Sequence, residues 1–128
     1  VLRGRVLLVE DNDQIAEATL PLLRSFGCEA EHAPSGDAAL ALIERDAARF
    51  DAVLSDVVMP GVADGLTLAL TLRARHPRLP VVLMTGYAAE IHHALAEGFE
   101  VLPKPCGPEA LAHAIARALA RARTAAAM

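Results

Sequence analysis

The amino-acid sequence predicts an α/β fold built on a doubly wound parallel sheet. Short apolar runs alternate with segments of helical period, the runs lack the polar alternation of half-exposed strands, and each gap between runs is long enough to hold a helix. At 128 residues the chain fits one domain. Apolar residues make up 54% of it, enough to offset chain entropy by burial and to exclude intrinsic disorder.

The first run, Arg5-Val6-Leu7-Leu8-Val9, is a strand covered on both faces. After Glu10-Asp11-Asn12, the residues Ile15, Thr19, Leu22, Leu23 and Phe26 recur at helical spacing until Gly27 stops the pattern. Pro21 lies inside that helix and predicts a kink or break, because it has no N–H and its ring crowds the preceding turn. Glu29 to Ala33 is a short second strand. Ser35 is placed to cap a helix from Gly36 to about Ala48, with Leu40, Leu42 and Ile43 inward. Ala52-Val53-Leu54-Ser55 forms the third strand and ends at Asp56, and Met59-Pro60-Gly61 makes a loop. Leu66, Leu70 and Arg73 lie along a third helix that ends before Pro77. Val81-Val82-Leu83-Met84 is the fourth strand, ending at Thr85-Gly86, and a helix with Ile91 and Leu95 follows and closes at Gly98. Glu100-Val101-Leu102 is the fifth strand, broken by Pro103-Lys104-Pro105. The last helix begins near Pro108 and carries Leu111, Ile115, Ala118 and Leu119 on one stripe. The domain is expected over 1–123, with 124–128 a frayed C-terminal tail.

Right-handed crossovers between parallel strands make the flavodoxin-like order 2-1-3-4-5 the natural arrangement of five strands and five helices. Ligands of such sheets sit outside the carboxyl ends of the strands, at the switch between strands one and three. There strand one ends in Glu10-Asp11, strand three in Asp56, strand four in Thr85 and strand five in Lys104. Three crowded carboxylates repel, and protonation or a bound cation relieves them. Mg²⁺ suits the second solution, since it is a hard ion commonly held by one or two carboxylates and a phosphate oxygen. The acidic loop is the wrong lining for a flavin phosphate. An aspartate beside Mg²⁺ can attack a phosphoryl group if cationic and hydroxyl groups stabilise its other oxygens, and Lys104 and Thr85 stand where such groups are needed. Lys104 is the single lysine of the chain, all other basic side chains among the twelve being arginine.

Val9-Glu10-Asp11-Asn12, Asp56-Val57-Val58-Met59-Pro60, Thr85-Gly86 and Lys104-Pro105 resemble, in order and spacing, the response-regulator receiver domain of two-component signalling. The resemblance spans nearly the whole chain. It implies that Asp56 is the phosphoacceptor, that Glu10 and Asp11 hold Mg²⁺ together with Asp56 and the Val58 carbonyl, and that Thr85 and Lys104 contact the phosphoryl group. It implies a cis peptide before Pro105, Mg²⁺-dependent self-phosphorylation and dephosphorylation, and a histidine kinase or histidine phosphotransfer protein as partner. The segment from Met59 to Gly65 is one residue longer than the family's usual form and resembles receivers of hybrid sensor histidine kinases, so the parent chain is expected to be such a kinase. A stand-alone response regulator is the alternative. Val101 stands where the family often has an aromatic residue, and Cys106 where an aromatic usually follows the proline.

Other readings are weaker. A net charge of −4 opposes direct nucleic-acid binding, where phosphates call for a basic surface. No run of apolar residues is long enough to cross a bilayer, so no membrane contact is expected of the domain. Cys28 and Cys106 are far apart in sequence and suit the reducing cytoplasm better than a disulfide scaffold. His92 and His93 point about 100° apart on a helix, which favours surface residues over a metal site, and His113 is likewise read as a surface histidine. An aspartate-nucleophile phosphohydrolase needs an acid two residues after Asp56, where Val58 stands. A receiver-like module that binds partners without phosphorylation lacks one of the acidic, acceptor or lysine positions, all present here. With Val58 and Tyr87 flanking the acceptor and no carboxylate or amide to orient water, slow self-hydrolysis is expected.

Overall fold

The computed structural model describes residues 1–59 and 64–127. Among them, five strands form one parallel sheet in the order β2-β1-β3-β4-β5, with β1 at Arg5–Val9, β2 at Glu29–Ala33, β3 at Ala52–Asp56, β4 at Val81–Thr85 and β5 at Glu100–Pro103. The crossovers are α1 (Asp13–Ser25), α2 (Gly36–Arg45), α3 (Gly65–Arg75) and α4 (Ala88–Ala96), and α5 (Pro108–Ala127) completes the set. This is the doubly wound, flavodoxin-like arrangement the sequence predicts.

Alternate residues of each strand point to opposite faces, so the sheet feeds two cores. Leu7, Val9, Val53 and Leu83 pack with Ile43 of α2, Leu68 and Leu72 of α3 and Ala94 of α4. Val6, Leu8, Leu54 and Val82 pack with Leu23 of α1 and Ile115 and Leu119 of α5. Burial of a single leucine such as Leu7 or Leu8 is worth about 2 kcal/mol, which is why all of β1 after Arg5 is apolar.

The register sets the functional edge. Val9 lies opposite both Ala33 and Ser55, Asp56 opposite Met84, and Thr85 opposite Pro103. The carboxyl ends of β1, β3, β4 and β5 therefore finish close together, and the residues that follow them emerge on one rim.

Several local expectations need correction. Pro21 does not break α1, which is continuous from Asp13 to Ser25. Pro21 and Glu17, whose carbonyl loses its donor, are both exposed residues, and the Thr19 hydroxyl donates to the Ile15 carbonyl in the same stretch. Ile15 is 40% exposed, and Ala16 takes the inward position with Leu23. The second helix stops at Arg45 and a 3-10 turn covers Ala47–Arg49, so Ala48 lies outside it; Ser35 caps it as predicted, accepting from the Ala38 N–H. Leu40 and Leu42 are only half-buried there, while Ala39 and Ile43 are fully buried. In α4 the inward residue is Ala94, and Leu95 is 54% exposed. Helix α5 buries its predicted stripe and keeps helical backbone to Ala127, through residues read from sequence as a tail. The loop expected at Met59-Pro60-Gly61, and the extra residue before Gly65, fall largely outside the described residues.

Candidate functional site

Each side chain at the rim is placed by the strand or turn before it. Asp56 is the last residue of β3 and Thr85 the last of β4, both almost fully buried. Lys104 follows β5, and its own N–H donates to the Thr85 carbonyl at 2.9 Å, which fixes its Cα beside β4. The peptide between Lys104 and Pro105 is cis. From there the Lys104 ammonium reaches back and donates to Oδ2 of Asp56 at 3.0 Å.

Glu10 and Asp11 follow β1, and one carboxylate oxygen from each lies within 4.8 Å of one from Asp56 and of the other. Asp11 is exposed and Glu10 is only 1% exposed. Neither Oε1 nor Oε2 of Glu10 has a hydrogen-bond partner among the described residues. Burial, and then the charge of Asp56, push the Glu10 carboxyl up to about 7, with Lys104 pulling in the opposite direction. Two buried, unpaired carboxylate oxygens at the brink of ionisation are what a hard cation would satisfy, and the all-oxygen donor set fits Mg²⁺ better than a thiophilic ion.

Thr85 accepts at Oγ1 from the Tyr87 N–H at 3.2 Å, which leaves its own O–H to donate elsewhere. Asp56, Val58, Thr85, Gly86, Tyr87 and Lys104 line one cavity of about 350 Å³. All six residues singled out from the sequence, Glu10, Asp11, Asp56, Val58, Thr85 and Lys104, are thus gathered at the carboxyl edge of the sheet. A larger cavity of about 490 Å³, lined by Phe50, His76 and Leu79 among others, opens at the opposite end and holds none of them.

Residues 6–116 match the family model of the response regulator receiver domain. The chain belongs to the receiver-domain family. This receiver domain is 40% identical over 119 residues to the response regulator protein FleR of Pseudomonas aeruginosa, covering 91% of the chain but 24% of FleR. It is 39% identical over 110 residues to the sensor kinase CckA of Brucella abortus, covering 84% of the chain and 12% of that kinase. The crystal structure of a response regulator receiver domain protein from Clostridium thermocellum superposes with a TM-score of 0.87 at 26% identity, over 94% of this chain and 98% of that one. The chain therefore spans less than a quarter of the length of either curated relative. Receiver domains of two-component systems generally bind Mg²⁺ through acidic residues and interact with histidine kinases or phosphotransfer proteins, and this one carries the acidic cluster. Among the described residues, no helix is long and apolar enough to cross a membrane.

Sequence reasoning passed over two residues that shape the site. A Cβ on Gly65 would lie 1.9 Å from the Asp56 carbonyl oxygen, so only glycine lets α3 start against the end of β3. The glycine was visible in the sequence, but its closeness to Asp56 depends on packing across the sheet. His32, on β2, holds the backbone of Glu10, and nothing in a lone histidine on an edge strand signals that.

Proposed function

We propose that this domain takes a phosphoryl group from a phosphohistidine onto Asp56. The observation that carries the reading is the placement of the Asp56 carboxylate between an ammonium at 3.0 Å and two further carboxylates, at the floor of an open cavity. An Asp56 carboxylate oxygen forms the new O–P bond as the P–N bond of the donor breaks, and the departing imidazole nitrogen keeps the electron pair and takes up a proton. Lys104 then exchanges its contact with Oδ2 for the phosphoryl oxygens, and the Thr85 O–H donates a hydrogen bond to the same group. Glu10, Asp11, Asp56 and the Val58 carbonyl would hold Mg²⁺, which when bound neutralises charge on the transferring group. Hydrolysis of the acyl phosphate, or its transfer to another histidine, returns Asp56 to the free carboxylate.

The partner is a histidine kinase or histidine phosphotransfer protein, and the compartment is the reducing cytoplasm, consistent with two free cysteines. Likeness to the sensor kinase CckA, together with the long Met59 to Gly65 segment, favours a receiver carried by a hybrid histidine kinase. Likeness to FleR favours the second reading, the receiver of a response regulator, and the neighbouring coding sequence decides between them. The phosphoacceptor role is tested by incubating the protein with acetyl phosphate and Mg²⁺ and measuring the intact mass. One added phosphoryl group, absent in Asp56→Asn, is expected; equal labelling of Asp56→Asn, or none of the native chain, overturns the role.

A further inference from the structure

The backbone of Glu10 is held in an unusual way. Its N–H continues the ladder, donating to the Ala33 carbonyl at 3.1 Å. In the parallel ladder its C=O would next accept from the Ser35 N–H, but β2 ends at Ala33 and the chain turns into α2, which Ser35 caps. The donor comes instead from a side chain on β2 itself. Nε2 of His32 lies 2.7 Å from the Glu10 carbonyl oxygen. A carbonyl can only accept, so Nε2 carries the proton.

We infer that His32 is a positioning residue for the acidic cluster, acting through the peptide that joins Glu10 to Asp11. The Glu10 carboxylate has no hydrogen bond of its own among the described residues, so its direction depends on how firmly its backbone is held. The carbonyl bonded to His32 belongs to the same planar unit as the Asp11 N–H, so one ring bond fixes the exit of both acidic residues from β1. With that bond lost, the peptide can rotate toward water and the two carboxylates no longer converge on Asp56. Supporting contacts of this kind change metal affinity by 10- to 100-fold when removed. The inference rests on the Mg²⁺ reading above for its consequence, and on the His32 contact alone for its geometry.

Mg²⁺ titration by calorimetry, with amide NMR of the metal-free protein, tests it on the native chain, His32→Leu and His32→Gln. Leucine removes the donor, and glutamine offers an amide N–H at similar reach. The expected result is about tenfold weaker Mg²⁺ binding in His32→Leu, recovery to within about threefold in His32→Gln, and an Asp11 amide resonance that moves in the first variant only. An Asp11 amide unchanged in His32→Leu, or native Mg²⁺ affinity in that variant, overturns the inference. If the native chain takes up no Mg²⁺ while the Asp11 amide still moves in His32→Leu and returns in His32→Gln, the metal reading fails and the positioning role stands.

Discussion

The ammonium of Lys104 sits 3.0 Å from Oδ2 of Asp56, although 48 residues separate them in the chain. Parallel pairing produces this contact: β4 lies between β3 and β5, and all three finish at the same rim. Here the ammonium answers one of three crowded carboxylates. Under the proposed transfer the same ammonium would answer the phosphoryl oxygens, so the pair is a contact that such a transfer would have to exchange.

The first prediction concerns that exchange. Lys104→Met keeps much of the stem but removes the only side-chain cation seen on Asp56 among the described residues. Loss of a donor aimed at developing charge lowers rates by about 10². The rate of labelling by acetyl phosphate should therefore fall by about that factor, with the fold retained by circular dichroism. Labelling at the native rate would show that Lys104 takes no part in the transfer.

The second prediction concerns Gly65. Its N–H donates to the Val57 carbonyl at 2.8 Å, and a Cβ would collide with the Asp56 carbonyl oxygen and with Cα of Val57. Those neighbours are backbone and cannot swing aside, so Gly65→Ala must displace α3 or the end of β3. A loss of about 2–3 kcal/mol in urea unfolding is expected, typical of overpacking in a well-packed interior. A change within about 0.5 kcal/mol would mean that the start of α3 is loosely held.

How far the site was legible in advance follows from the same geometry. Glu10, Asp56, Thr85 and Lys104 could be found because a parallel sheet puts every strand end on a common rim, and strand ends are marked by where apolar runs stop. The five strands were legible for the same reason. Helix faces were harder: alanine is a weak hydrophobic signal, so Ala16, Ala39 and Ala94 take inward places that leucine or isoleucine was expected to fill. The cost of Pro21 depends on whether the freed carbonyl is buried, and Glu17, which carries it, is an exposed residue. Gly65 and His32 act through approach across the fold, which no local pattern encodes.

The third prediction is a pH dependence. The Glu10 carboxyl is raised from an ordinary 4.5 to about 7, so between those values the folded chain binds more protons than the unfolded one. Stability from this group is therefore fully present below about pH 4.5 and is lost as pH rises through about 7. In EDTA, unfolding free energy should fall between pH 5 and 8 by an amount on the order of 3 kcal/mol. Glu10→Gln should flatten that slope, and saturating Mg²⁺ should reduce it by stabilising the ionised form. An identical slope in Glu10→Gln would assign the effect to other groups.

The fourth prediction concerns the lifetime of the acyl phosphate. Val58 and Tyr87 are 46% and 63% exposed and stand on the same cavity as Asp56 and Lys104. A valine offers no hydrogen bond to an incoming water, and the tyrosine backbone N–H is already committed to Thr85. Neither residue offers a carboxylate or amide side chain to orient an incoming water, so loss of phosphate should take minutes or longer. Val58→Asn places an amide at the cavity wall, where it can hold a water toward the phosphorus, and should speed the loss several-fold. Intact-mass time courses after removal of acetyl phosphate read both rates. Decay of the native acyl phosphate within seconds, or an unchanged rate in Val58→Asn, would show that water is positioned from elsewhere in the cavity.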